Sequence, residues 1–311
     1  QYILPYYNFD KSFKQNYYNG YLNFSSSGSN DLNNTNDLKT SIINDIVYNS
    51  ESFISNKGLK SEYSINLKNI NSVGKKNANY KSTPQIELIS LLNAELSLPM
   101  IKVSDNFTNL LTPKISFRIN PSDMKNYSDS TNKIDVGNIF LTNRLGLTDT
   151  LEAGRSLTLG VDFKREESNL DTINKYFEFK VATVLRDKEE NFISSKSTLN
   201  RKTSNLFGQL NSKLSEKIDI GYNFSVDNDY NTIEYNDINA TFSLNNIVTK
   251  FNFIKESGEM GDSNILQSSF DYTIDKQNSL KFKTRRNRKI NLTEYYDLVY
   301  EYKNDCLTAG I

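Results

Sequence analysis

Glu216-Lys-Ile-Asp-Ile-Gly-Tyr-Asn-Phe-Ser-Val-Asp-Asn-Asp-Tyr-Asn-Thr-Ile-Glu-Tyr-Asn-Asp-Ile-Asn-Ala-Thr-Phe-Ser-Leu244 decides the fold class of this chain. Apolar side chains fall at Ile218, Ile220, Tyr222, Phe224 and Val226, with Asp219, Gly221, Asn223 and Ser225 between them. After Asp227-Asn228-Asp229 the alternation returns at Ile238, Ala240, Phe242 and Leu244, and Asn245-Asn246 ends it. A period of two marks a β-strand with one apolar and one polar face. About ten residues is the length at which a tilted strand crosses a bilayer.

The same pattern runs outward through the chain. It recurs at Tyr63-Ile65-Leu67, Ile86 to Leu98, Ile115-Phe117-Ile119, Leu157 to Phe163, Phe177-Phe179-Val181, Phe270-Tyr272-Ile274 and Leu298-Tyr300-Tyr302. Roughly sixteen to eighteen strands are predicted, occupying nearly the whole chain, and no helix. Tight turns at Ser215 to Lys217, Asn245-Asn246 and Asp275 to Asn278 alternate with longer polar connections at Asp227 to Thr232, Lys255 to Asn264 and Arg285 to Asn291. Short turns at one end and long loops at the other characterise outer-membrane barrels. Pro84, Pro99, Pro113 and Pro121 are expected at strand edges or in loops, where a missing N–H is tolerated.

Composition narrows the function classes. The 311 residues are 37% hydrophobic, with mean hydropathy -0.60. No apolar run reaches the roughly eighteen residues a membrane helix needs. A barrel wall needs only alternate apolar residues, so low hydropathy is compatible with it. Enrichment in Asn, Lys, Ile, Tyr and Phe also fits an AT-rich genome, but base composition does not produce alternation. Lys+Arg and Asp+Glu both total 37, which argues against a dedicated nucleic-acid binder. The chain has no His, the commonest metal ligand and general base, and no catalytic constellation, metal site or cofactor motif is found. Glu166-Glu167 and Glu189-Glu190 read as solvated loop clusters. Pattern alone leaves a membrane barrel ahead of a soluble β-sandwich or β-helix, whose turns would come every eight to twelve residues or so.

Two motifs carry a resemblance. Leu111-Thr-Pro113-Lys-Ile-Ser-Phe-Arg118-Ile-Asn-Pro121 is followed by Gly137-Asn-Ile-Phe-Leu-Thr-Asn-Arg144-Leu-Gly146-Leu-Thr-Asp149-Thr-Leu-Glu-Ala-Gly154-Arg-Ser-Leu-Thr-Leu-Gly160. Tyr300-Glu-Tyr-Lys-Asn-Asp-Cys306 comes later, and Leu4-Pro5-Tyr6-Tyr7 opens the chain. In this order they resemble the LPS-assembly outer-membrane protein family (LptD, the organic-solvent-tolerance proteins). The resemblance implies an all-β, large antiparallel transmembrane β-barrel of about 26 strands, of which residues 1–311 are one barrel domain, incomplete at both ends. It implies no enzyme and no cofactor. It implies lipopolysaccharide transport and insertion at the Gram-negative cell outer membrane, with a lipoprotein plug and periplasmic LPS-bridge proteins as partners. Many members carry two adjacent cysteines where this chain has Cys306-Leu307, which makes Cys306 a disulfide candidate to an N-terminal region outside this sequence.

Pro113, Arg118, Pro121, Arg144, Gly146, Asp149 and Gly154 are read as structural, with Gly146 at a turn and Arg144 able to pair with Asp149. Arg285, Arg286 and Arg288 are candidates for contact with LPS phosphates in an exposed loop. A passive porin or receptor-type barrel, and a secreted soluble β-protein, stand as the alternatives.

Overall fold

The computed structural model describes residues 2–15, 19–33, 36–77, 80–169 and 172–311. The chain is all-β. Its strands are β1 (Tyr2–Gln15), β2 (Gly20–Asn33), β3 (Asp37–Ser50), β4 (Phe53–Ile54), β5 (Lys60–Lys75), β6 (Gln85–Ser97), β7 (Met100–Val103), β8 (Phe107–Asn120), β9 (Gly154–Asn169), β10 (Thr172–Arg186), β11 (Leu206–Ser215), β12 (Ile218–Val226), β13 (Ile233–Leu244), β14 (Ile247–Glu256), β15 (Asn264–Thr273), β16 (Asn278–Asn287), β17 (Leu292–Lys303) and β18 (Thr308–Gly310). Among the described residues the only helical turns are two three-residue 3-10 turns. The registered pairings are antiparallel and follow chain order, as short hairpin connections dictate.

The chain divides into two compact units. The first comprises Gln1–Pro99, Pro113–Leu159 and Val184–Ser204. Its sheet runs β1-β2-β3-β5-β6-β8. The alternation is inside out. Along β5, Tyr63, Ile65 and Leu67 are 44%, 40% and 42% exposed, whereas Ser64, Asn66 and Lys68 are 6%, 8% and 5% exposed. Register extends the apolar face sideways: Leu22 lies opposite Tyr48, Tyr48 opposite Ile65, Ile65 opposite Leu92, and Leu92 opposite Ile119. A sandwich in water would bury this face.

Strands do not fill this unit, contrary to expectation. Residues 121–153 and 187–205 form no strand beyond an isolated bridge at Leu185 and Thr203. The first of these segments packs on the polar face of β5, β6 and β8, where Leu151 joins Ile70, Ile89 and Leu91 in a small dry core. Pro113 also departs from expectation, since it lies inside β8. It sits between Leu111, opposite Met100 of β7, and Lys114, opposite Ser97 of β6. At that change of partner a residue without an N–H costs the ladder nothing.

The second unit comprises Met100–Thr112, Gly160–Thr183 and Asn205–Ile311. It contains the β7–β8 hairpin and the meander β10 to β18. Asn245, at φ 51, opens the two-residue turn between Leu244 and Ile247. Gly208 lies opposite Phe224, whose ring covers the glycine where a Cβ would stand. A largely apolar face again forms: Ile218, Phe242, Phe270, Phe282 and Leu298, with Thr249 among them, follow one another across six strands. Glu166 and Glu167 lie in β9 rather than in a loop, paired with Lys164 and Lys175.

Candidate functional site: the polar face and the segment fastened to it

The fastening of residues 121–153 begins with Glu152. Its carboxylate accepts hydrogen bonds from Arg144 Nε at 2.7 Å and Nη2 at 2.5 Å, and from Arg186. Arg118 Nη2 stands 3.8 Å away. All four side chains are buried. One carboxylate does not neutralise three guanidiniums; carbonyl and hydroxyl oxygens take further donors, and Arg186 Nε is buried without a hydrogen-bond acceptor. Arg118 Nη1 donates to Leu141 O at 2.9 Å and Thr142 O at 2.7 Å, and Arg186 Nη2 donates to Ala153 O at 2.5 Å. Arg144 also reaches Thr158 Oγ1 and Ser156 Oγ, each at 3.0 Å. Burial alone would raise the Glu152 carboxyl, but the three guanidiniums outweigh it and hold the group well below the usual carboxylate range.

A second fastening centres on Asp149. It accepts hydrogen bonds from the Tyr80 and Tyr127 hydroxyls, and Lys125 Nζ stands 3.5 Å away. The Tyr80 ring lies between two ammoniums, Lys39 and Lys125, each 4.6 Å from its centroid. Burial works against the Asp149 charge, yet the two hydroxyls and Lys125 lower its carboxyl below the ordinary value. Burial and the adjacent carboxylate push both tyrosine hydroxyls far up, so they remain donors. Lys68, on β5, reaches Asp45 at 2.8 Å and Thr148 O at 2.9 Å.

These contacts relocate several expected residues. Arg144 pairs with Glu152, and Asp149 belongs to the tyrosine–lysine cluster. The reason is chain geometry: Gly146 turns at φ 65 and Asn143 caps the turn through Leu147, so the two side chains leave in different directions. Arg118 and Arg144 meet at one carboxylate. Gly154, at φ 86, opens β9 beside Arg186. Pro121 follows the end of β8. Glu152, Arg186, Tyr80, Tyr127 and Lys125 escaped the sequence reading. Glu152 carried a signal, as a lone acid beside Gly154 between apolar neighbours.

Arg285, Arg286 and Arg288 do not form one exposed loop. Arg285 and Arg286 lie in β16, split by an irregularity in register. Arg285 reaches Glu294 at 2.7 Å and Arg286 reaches Asn291, while Arg288 lies 5.7 Å from the Phe253 ring. Cys306 is an exposed free thiol in the connection between β17 and β18.

The polar face of the second unit is a ladder of amides. Gln209 donates to Asn223, Asn223 to Asp237, and Asn252 to both Asp237 and Asn239. Beside it a concavity of about 540 Å³ is lined by Asn239, Lys250, Asn252, Gln267, Lys281 and Lys283 among others. Among the described residues no group of acidic, cysteine or histidine side chains is arranged to hold a metal. A polar, hydroxyl-seeking face opposed to an apolar one suits passage of an amphiphile with a sugar portion. The family profile described as LPS transport system D (LptD) matches residues 2–277. The chain belongs to the LptD family. No curated protein matches it. Membership gives the chain a role in LPS transport and assembly at the outer membrane, within a family of transport barrels rather than enzymes. The inside-out strands of the first unit, and the apolar face that runs across β12 to β17 in the second, fit a transmembrane β-barrel.

Proposed function

We propose that this LptD-family chain spans the Gram-negative outer membrane as part of one barrel domain and inserts lipopolysaccharide into the outer leaflet. The observation that carries the reading is the inversion along β5: Tyr63, Ile65 and Leu67 turn outward, and Ser64, Asn66 and Lys68 turn to the packed side. Strands of this kind place hydrocarbon against the outward face and hydrophilic groups within. The sugar portion of LPS then travels along the amide-rich face. The acyl chains leave sideways where strand pairing is weak, because an unpaired edge in lipid is costly and opens only at such a place. A lipoprotein plug and periplasmic LPS-bridge proteins complete the path, the bridge delivering the substrate. The segment 121–153, fastened to the polar face, supports a guided path over a passive pore.

Depletion of the full-length protein is expected to reduce LPS on the cell surface. Unchanged surface LPS, with ion conduction as the only activity, would point to a porin. Ile65→Lys tests the membrane placement directly. At mid-bilayer a lysine costs about 2–4 kcal/mol. Loss of heat-modifiable folded protein from outer membranes is expected for Ile65→Lys and not for Asn239→Lys, at an exposed position on the polar face of β13.

A further inference from the structure

The concavity on the polar face of the second unit is built unlike the rest of the ladder. In register, Thr241 lies opposite Lys250, Lys250 opposite Ser269, and Ser269 opposite Lys283. Lys281 lies two residues along β16 on the same face, and Glu301 holds it at 3.0 Å. Neighbouring strands are spaced about 4.8 Å, so the Cα atoms of Lys250 and Lys283 stand roughly 10 Å apart across Ser269. Two four-carbon stems span that gap, and both ammoniums can meet on a single anion above Ser269. Both lysines are exposed, and among the described residues neither has a carboxylate within ion-pair distance. Asp271 and Asp297 are the carboxylates nearest in register, opposite Lys281 and Lys283.

Around the lysines stand groups that suit sugar hydroxyls. Asn239, Asn252 and Gln267 line the concavity with amides, and Tyr295 contributes an exposed aromatic ring. Asp237 accepts from Asn223, Asn239 and Asn252, so its charge is already spent within the ladder. An amide row beside two unpaired ammoniums and an aromatic ring recognises a ring-shaped polyol that carries negative charge.

We propose that Lys250 and Lys283, with Asn252, Gln267 and Tyr295, form a stationary subsite for an anionic sugar of the transported LPS. The anion bridges the two ammoniums, amide groups bond the hydroxyls, and Tyr295 covers one sugar face. The subsite rests on the LPS-transport reading and deepens it, by assigning the charged sugar to β14–β17.

The test uses the full-length protein in outer membranes, with a photo-crosslinking residue at Thr241 beside the lysines or at Gln209 on the ladder. Purified LPS is expected to crosslink at both positions. In Lys250→Gln/Lys283→Gln, capture at Thr241 should fall at least about fivefold, since two charge-assisted contacts are lost, while capture at Gln209 holds. Lys250→Arg/Lys283→Arg should restore it. LPS stripped of phosphate and with its carboxyls reduced should behave on the unaltered protein as native LPS behaves on the Gln variant. Equal capture at Thr241 by the Gln variant, with folded protein verified by heat-modifiable migration, overturns the subsite. Displacement by excess inorganic phosphate shows a generic anion site and overturns the sugar assignment. Absence of LPS at both positions in the unaltered protein overturns the LPS reading itself.

Discussion

Replacing Glu152 by Gln removes the only carboxylate from a cluster of three buried guanidiniums. The substitution keeps the shape of the side chain and deletes its charge. Only one acceptor oxygen remains for Arg144, whose two contacts are now 2.7 and 2.5 Å, and for Arg186, and the other position becomes an amide donor facing a guanidinium. Removing one partner of a buried ion pair costs about 3–5 kcal/mol, because the remaining charge stays buried without compensation. The strands are held by their own ladders, so this loss falls on the segment 121–153 that Arg118 and Arg144 secure. At 1.4 kcal/mol per factor of ten, the open population of the segment rises by roughly two to three and a half orders of magnitude. Limited trypsin digestion of the folded protein reads that population when reclosing outpaces cleavage. Cleavage after Lys125, Lys133 or Arg144 should accelerate accordingly, with the heat-modifiable strand domain intact. Arg144→Lys keeps the charge but gives up the two-pronged contact, and should lie between the two. The carboxyl is held below its ordinary value, so its stabilising contribution is full above the unfolded carboxyl pKa and fades as pH falls toward the folded one. Cleavage rates equal to the unaltered protein's at neutral pH, in a folded Glu152→Gln variant, would refute the assignment of this cluster as the fastening.

Asp149→Asn leaves an acceptor for one of Tyr80 and Tyr127, sets an amide donor against the hydroxyl of the other and removes the charge facing Lys125; a loss of about 1–3 kcal/mol is expected, read as faster hydrogen exchange over 145–151. In the unaltered protein the lowered Asp149 carboxyl gives the same region a stability that declines as pH falls below the unfolded carboxyl pKa, and exchange measured across that range should show it. Gly208→Ala places a methyl group in the Phe224 ring, so the hairpin β11–β12 must shift; about 1–3 kcal/mol lost in a thermal melt is expected, and Phe224→Leu in the same chain should recover part of it.

The strands were legible because their signal is local. Alternation from Ile238 to Leu244 places the second half of β13, the polar connection Asp227 to Thr232 bounds its start, and Asn245-Asn246 marks its turn. Family membership and the all-β class were legible for the same reason, in short motifs and a period of two. Residues 121–153 were not, since their order depends on partners far along the chain. Asp149 finds Tyr80 69 positions earlier, and Glu152 finds Arg186 34 positions later. No period announces such contacts. The pairing assigned to Arg144 and Asp149 failed on the left-handed turn at Gly146, a backbone property that sequence suggests but does not aim. Pro113 failed differently: a proline in mid-strand is forbidden only where its N–H is needed, and β8 changes partner at that residue. The basic run at Arg285 to Arg288, expected as a loop, is divided by β16, which takes in Arg285 and Arg286. Strand geometry sends successive side chains to opposite faces, and the break in register at Arg285 and Arg286 scatters them further. On one face of β16 lie Lys281, Lys283 and Arg285, with Lys250 two strands away, and of these Lys281 is held by Glu301 and Arg285 by Glu294, a grouping visible only once register is known. In a sheet of this kind, binding residues are therefore found by reading across strands at one level rather than along the chain.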